Sequence, residues 1–153
     1  HPEIILAGRR LNDSIGQFIA DMTISELAAQ GISPIKAKIA ILGLTFKENC
    51  PDIRNTKVLN IFKGLNNYKC DTSVVDDWVK PHLAKEEFNI NLVKMDAIHA
   101  YDAIIIAVSH KSNCNIKIES FQSMLRSNGV IIDVKSIYDK NYFAKTRLRY
   151  WSF

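Results

Sequence analysis

Two cations seven positions apart, Lys47 and Arg54, lie in the polar segment that joins an apolar stretch at residues 38–42 to a helical pattern. Lysine offers a point charge to a phosphate group and arginine offers a bidentate fork, so this pair predicts an anionic ligand. The position favours the same hypothesis, because α/β proteins bind anions where a strand leads into a helix N-terminus. The alternative interpretation is that both side chains are ordinary solvated loop charges.

The glycines of this segment do not fit a conventional nucleotide loop. A dinucleotide site requires Gly-x-Gly-x-x-Gly, so that the pyrophosphate can approach bare backbone. Here Gly43 is followed by Leu44, Thr45 and Phe46, whose side chains would block that approach. Lys47 has no Ser or Thr after it, which excludes a Walker loop. We therefore expect a looser anion site that does not hold a dinucleotide.

Four further residues near predicted strand ends have the chemistry of functional groups. Asp76 lies where a Rossmann acid would hold a ribose, but it follows Gly43 by 33 positions rather than about 20, and a turn-initiating role is favoured. His110 is interpreted as a capping or solvent-facing residue, because no acid–nucleophile partner is evident. Cys50 is interpreted as a loop-filling residue rather than an activated thiolate. Lys135 follows a late strand, at the rim where ligands bind.

The composition is that of an ordinary globular domain. The chain has 153 residues, 47% of them hydrophobic and 24% charged, enough to bury a core. The net charge of +4 is mild and the cations are scattered, which disfavours nucleic acid as a partner. Three isolated cysteines indicate neither a disulfide framework nor a metal site, and they favour a cytoplasmic protein. Without an apolar run of about 18 residues, no membrane association is expected.

Helical and strand periods alternate along the chain. Residues 4–30 predict one long amphipathic helix that ends at Gly31, with an apolar face that needs a partner from this domain, from other sequence or from a second subunit. The near-continuous apolar strands beyond it predict an α/β fold, a Rossmann-like doubly wound parallel sheet. The predicted strands are Lys38–Leu42, Thr72–Asp76, Asn91–Lys94, Ala103–Val108, Val130–Val134 and an edge strand at Arg147–Ser152; the predicted helical segments are Asn55–Asn66, a short turn at Asp96–Tyr101 and Ile118–Ser127.

Three motifs give the chain a resemblance to a known family. Residues 1–13 read HPEIILAGRRLND, residues 42–54 read LGLTFKENCPDIR, and Asp133–Lys135 closes the last core strand. Together they resemble the C-terminal UDP-binding domain of the UDP-glucose/GDP-mannose dehydrogenase family, over nearly the whole chain. The branch that is most similar oxidises UDP-N-acetylhexosamines for capsule and other bacterial surface polysaccharides.

The resemblance implies particular roles for four residues. Phe46, Lys47 and Lys135 would contact the UDP-sugar substrate, and Arg54 would reach across a cleft between domains toward NAD. The implied reaction is the NAD-dependent oxidation of the sugar C6 alcohol to a carboxylate through a covalent intermediate on a cysteine. In the family that cysteine lies upstream of this domain, so the resemblance implies no catalytic residue here, and we expect this chain to be inactive by itself.

The resemblance also implies a division of the chain. Residues 1–34 would be the tail of a central helical region that forms a homodimer, and residues 35–153 would be the UDP-binding domain. Because His1 is not a start residue, we expect the chain to be a piece of a longer protein or one whose leader has been removed. The resemblance implies a further, N-terminal domain that binds NAD. Two other functions stay open: a stand-alone nucleotide-binding regulatory module without enzymatic activity, and a dimerisation element based on the helix at 4–30.

Overall fold

The computed structural model describes residues 2–153. His1, the first residue of the predicted segment 1–34, lies outside the described residues. The helices are α1 (Pro2–Ala29), α2 (Val58–Asn67), α3 (Pro81–Phe88), α4 (Lys111–Cys114) and α5 (Ile118–Met124), with short 3-10 helices at Met95–Ala97 and Lys140–Phe143. The strands are β1 (Lys38–Leu42), β2 (Asp71–Val75), β3 (Tyr101–Ile106), β4 (Leu125–Asp133) and β5 (Arg149–Ser152).

Every strand pair in the described sheet is parallel, in the order β2-β1-β3-β4-β5. All six residues of β3 are buried, as expected for a central parallel strand that is covered on both faces. Ile39 and Ile105 pack in the core under α1, α2 and α3, whereas Leu42 and Ile104 pack on the opposite face with Phe121 of α5. This alternation confirms the predicted doubly wound sheet. Because all the pairings are parallel, the carboxyl ends of all five strands lie at one edge.

The predicted N-terminal helix is confirmed, and it packs closely on α2. A Cβ atom at Gly16 would lie 2.4 Å from the Asn60 Cβ, so only a glycine permits this approach. The helix ends as predicted before Gly31, whose φ of +73° is left-handed. The sheet domain is therefore one partner of the predicted apolar face: it buries Ile19 and Leu27.

One predicted strand and two predicted helix boundaries are wrong, and local geometry explains each difference. Asn91–Lys94 is not a strand, because Leu92 forms only an isolated bridge with Val74. The second helix begins at Val58 rather than at Asn55, whose φ of 59° is left-handed and incompatible with a helix. Leu125 ends the α5 helix with extended dihedrals and begins β4, whereas the prediction continued the helix to residue 127.

Two helices, α3 and α4, were not predicted from the sequence. Helix α3 was missed because Ala84 is its one buried residue, so its sequence shows no apolar stripe. Pro81 occupies its first turn, a position where proline is well tolerated. The edge strand β5 was predicted, and it pairs with β4 from Val130 to Asp133.

Candidate functional site

A cavity of about 290 Å³ opens where β1, β3 and β4 end. We call it the lysine cavity. The cavity is lined by Phe46, Lys47 and Lys135, the three residues for which the family resemblance implied contact with a substrate. The remaining lining residues are Asn12, Thr45, Glu48, Lys57, Val58, Ala107 and Val108. The structure therefore joins two loops that are far apart in the sequence into one site.

The charge of the lysine cavity suits an anion. Lys47, Lys57 and Lys135 face a single carboxylate, that of Glu48. Lys57 pairs with Asp13 of α1 at 2.8 Å, whereas no ion pair of residues 2–153 includes Lys47 or Lys135. The N-terminus of α2 contributes a further partial positive charge at the same wall.

Sequence reasoning missed two parts of this wall, Lys57 and Asn12. Lys57 directly precedes α2, and this position at a helix N-terminus was the signal that could have indicated it. Asn12 comes from α1, which the sequence treated as separate from the binding domain. Its position in the cavity follows from the close packing of α1 on α2, which sequence patterns do not reveal.

The loop that carries Phe46 and Lys47 has a left-handed residue before it and another at its end. Gly43 has φ of +105°, and a Cβ atom there would lie 2.5 Å from the Val108 Cβ. Asn49 has φ of 53°, a conformation that asparagine adopts more readily than most residues. Between them Phe46 is 56% exposed and lines the lysine cavity.

The carboxylate of Asp76 lies directly beneath this loop. Its Oδ2 accepts hydrogen bonds from the backbone N–H groups of Leu44 (2.6 Å) and Thr45 (3.2 Å), and its Oδ1 accepts one from Trp78 (2.8 Å). Burial raises the pKa of Asp76, but the hydrogen bonds from His110, Leu44 and Trp78 bring it below the ordinary value. The turn-initiating role is confirmed by the Trp78 contact. A ribose-binding role does not fit, because the Asp76 side chain is 0% exposed and its carboxylate accepts hydrogen bonds from donors of the protein itself.

His110 is not the solvent-facing residue that the sequence suggested. Its ring is 2% exposed, and Nε2 lies 2.9 Å from Asp76 Oδ2. The residue occupies the position before α4, but its side chain makes no capping hydrogen bond. Nδ1 accepts a hydrogen bond from the Asn49 backbone at 3.0 Å. The prediction failed because both partners are far from His110 in the sequence.

Arg54 lies outside the lysine cavity. Its guanidinium donates to both oxygens of Asp52, at 3.0 and 3.1 Å, and its side chain is 84% exposed. The hydrogen bond with Asp52 raises the pKa of Arg54 and lowers that of Asp52. The structure thus separates Arg54 from the three residues predicted to contact the substrate, and its predicted role toward a second ligand stays a prediction.

Neither Cys70 nor Cys114 is an activated nucleophile. Burial raises the pKa of Cys70 to about 11. The pKa of Cys114 is raised by burial and by the charges of Asp133 and Glu48. Both shifts disfavour the thiolate, which is the reactive form. Cys50 is half-buried in the loop after Asn49.

The loop also lacks the features of a dinucleotide site. Leu44 and Thr45 are almost fully buried, and their N–H groups are bound to Asp76 rather than free for a pyrophosphate. NAD therefore does not fit this loop in the Rossmann manner. Among residues 2–153 no cluster of three or more His, Cys, Asp or Glu side chains could hold a metal ion, and no helix has the length and hydropathy of a membrane span.

A doubly wound parallel sheet with a cationic cavity at the carboxyl ends of its strands defines a Rossmann-like domain suited to an anionic ligand. Residues 40–140 match the sequence profile described as "UDP-glucose/GDP-mannose dehydrogenase family, UDP binding domain". The chain belongs to this family, which confirms the resemblance seen in the sequence.

The names of individual proteins that are similar to this chain are consistent with this family. The chain is 40% identical over 141 residues to the UDP-N-acetyl-D-glucosamine 6-dehydrogenase of Pseudomonas aeruginosa, covering 92% of this chain and 33% of that protein. It is 38% identical over 141 residues to protein CapL of Staphylococcus aureus, with the same coverage of 92% and 33%. The chain therefore spans about a third of the length of these curated relatives.

A solved structure shows the same fold. It is the NDP-N-acetyl-D-galactosaminuronic acid dehydrogenase from Methanosarcina mazei Go1, with a TM-score of 0.83 and 20% identity. The match covers 96% of this chain and 30% of that chain.

Proposed function

We propose that this chain forms part of the nucleotide-sugar site of an NAD-dependent UDP-sugar 6-dehydrogenase that acts on a UDP-N-acetylhexosamine. The observation that carries the proposal is the lysine cavity, in which Phe46, Lys47 and Lys135 meet within a domain of a UDP-binding family. The substrate class follows the relatives named UDP-N-acetyl-D-glucosamine 6-dehydrogenase.

In this proposal the lysines recognise the diphosphate. Lys47 and Lys135 take part in no ion pair within residues 2–153, so their charges are available to phosphate oxygens. Lys57 adds a third cation from the start of α2. The exposed ring of Phe46 would cover an apolar face of the ligand. When a second domain closes over the cavity and excludes water, the attraction between the lysine charges and the negative charge of the diphosphate becomes stronger.

The chemical step itself belongs to residues outside this chain. The proposed reaction oxidises the C6 alcohol of the sugar to a carboxylate, and NAD accepts the electrons. Arg54 lies outside the lysine cavity, on the exposed side of its loop, so we propose that it reaches toward NAD held by another domain. Residues 1–34 belong, in the same proposal, to a central region that forms a homodimer.

Titration of the chain with UDP, followed by amide NMR, tests the proposal. We expect shifts at residues 46–49 and 135 with UDP and none there with NAD. Lys47→Ala and Lys135→Ala should each weaken UDP binding about tenfold, equivalent to roughly 1.4 kcal/mol. Lys63→Ala is the matched control, because Lys63 is exposed on α2 and is not part of the cavity wall. Equal losses in all three variants, or no response to UDP, would contradict the proposal.

A further inference from the structure

We infer that Asp76 and His110 form a buried pair that positions the loop bearing Phe46 and Lys47, and that both are positioning residues for ligand binding. The two side chains are 0% and 2% exposed, respectively. Neither residue lines the lysine cavity. The choice of UDP as the probe rests on the proposed function, whereas the structural role of the pair does not.

Asp76 holds the first part of the loop. Its Oδ2 accepts the N–H groups of two successive residues, Leu44 and Thr45, at 2.6 and 3.2 Å. Hydrogen bonds from N–H donors to an ionised acceptor are roughly twice as strong as those between neutral groups. Phe46 is the next residue, so this carboxylate fixes the direction of the backbone that leads from the end of β1 to Phe46.

His110 holds the far end of the same loop. Its Nδ1 accepts the Asn49 backbone N–H at 3.0 Å, and the Asn49 side chain accepts the Lys111 N–H at 2.9 Å. Inside the loop, the Thr45 hydroxyl donates to the Lys47 carbonyl at 2.8 Å. The backbone is thus held at residues 44, 45, 47 and 49, while the side chains of Phe46 and Lys47 remain exposed.

These contacts define the tautomer of His110. Because the Asn49 N–H must donate, Nδ1 carries the lone pair and the ring proton is on Nε2. Nε2 donates this proton toward Asp76 Oδ2, which lies 2.9 Å from the nitrogen, and the Thr45 hydroxyl oxygen lies 3.2 Å from the same nitrogen. One carboxylate therefore binds the start of the loop directly and its end through the imidazole. A loop that is held in this way loses less conformational entropy when a ligand binds.

A larger cavity of about 860 Å³ also touches Asp76 and His110. This cavity does not change the role that we infer for the two residues, which is to position the loop. Both Asp76 oxygens accept hydrogen bonds from the protein, and both His110 nitrogens have partners in it. The pair therefore has little capacity left for a ligand on that side, and its hydrogen bonds serve the loop.

Three substitutions at one position separate the two contacts. His110→Leu removes both, His110→Gln keeps a donor near Asp76, and His110→Asn keeps an acceptor near Asn49. Asp102→Asn is the matched control, since Asp102 is also a buried carboxylate and accepts the Lys38 N–H at 2.8 Å at the opposite end of the sheet. Each variant is measured for melting temperature, for the heteronuclear NOE of residues 46–49 and for the UDP dissociation constant.

We expect His110→Leu to lower the NOE values of the loop, to speed amide exchange at Asn49 and to raise the UDP dissociation constant at least tenfold. His110→Gln and His110→Asn should each recover part of both effects, and they serve if the leucine variant does not fold. Asp102→Asn should lower the melting temperature and leave the loop and the UDP affinity unchanged.

A loop as ordered in the His110 variants as in the wild type would overturn the inference. So would equal losses of UDP affinity in His110→Leu and Asp102→Asn, because the role of His110 would then be general stability. If the wild-type chain does not bind UDP, the proposed function fails, and the NOE and exchange values at residues 46–49 still decide the positioning role.

Discussion

Beneath the lysine cavity, Asp76 shows how one ionised side chain can organise a binding loop. A carboxylate without partners is costly to bury, but here four donors compensate: three backbone N–H groups and the His110 ring. Protonation would place a hydroxyl group where these donors need an acceptor. The pKa of Asp76 is accordingly below its ordinary value, which links the order of the loop to pH.

We expect Asp76→Asn to lower the free energy of unfolding at pH 7 by about 2 kcal/mol, because an amide cannot accept from all these donors. The depressed pKa means that this stabilisation is complete above about pH 4, the ordinary carboxyl value, and is lost as pH falls through the lower folded value. The difference from the wild type should therefore shrink toward pH 3. Urea unfolding at both pH values measures it, with the exposed Asp77→Asn as control; a difference that does not change with pH would contradict the assignment.

At the scale of elements, the contact of α1 with α2 decides the shape of the lysine cavity. Gly16 of α1 meets Asn60 of α2 without space for a side chain. One turn earlier, Asn12 lines the cavity and Asp13 pairs with Lys57. Any separation of the two helices would therefore move one wall of the site.

Gly16→Ala should destabilise the chain by about 1–3 kcal/mol, because the added Cβ would lie 2.4 Å from the Asn60 Cβ. Gly8→Ala, in the same helix, has nothing within 4 Å of the new methyl group. It should be neutral or stabilising by up to about 1 kcal/mol, because alanine is the better helix former. Thermal unfolding of both variants measures this difference, and equal effects would show that the helices do not pack as described.

The elements that could be predicted from the sequence are those with a strong local pattern. The apolar run of β1 and the long stripe of α1 are examples, and the position of Lys135 followed from the predicted end of β4. Helix α3 could not be predicted because Ala84 alone is buried, and His110 could not be assigned because Asp76 is distant in the chain. Binding positions at strand ends are local properties, whereas the contacts that hold them in place are tertiary.

At the scale of the whole molecule, Leu11 and Phe18, seven positions apart on α1, form an apolar strip with the C-terminal rings of Trp151 and Phe153. Leu11 is 70% exposed and Phe18 is 46% exposed. The Phe18 ring lies 6.2 Å from that of Trp151 and 5.8 Å from that of Phe153, measured between centroids. The strip is the surface on which we place the proposed homodimer contact.

Replacing both Leu11 and Phe18 by serine should reduce self-association of the chain, because it removes apolar area from the strip. Sedimentation velocity over a range of concentrations measures the effect. Ile35→Ser is the control, since Ile35 is 63% exposed but is not part of the strip. A wild-type chain that stays monomeric at all concentrations, or a double variant that associates equally, would count against this surface.

Parallel pairing also decides the order in which the site can form. In the part of the chain that the structure describes, no two neighbouring strands of the sheet are joined by a tight hairpin, since all the pairings are parallel. Each pairing therefore has to wait until a longer crossover has closed, which is an entropic barrier to folding. The lysine cavity needs the ends of β1, β3 and β4 side by side. A ligand in it can only bind after the centre of the sheet has assembled, so it stabilises the finished fold without initiating folding.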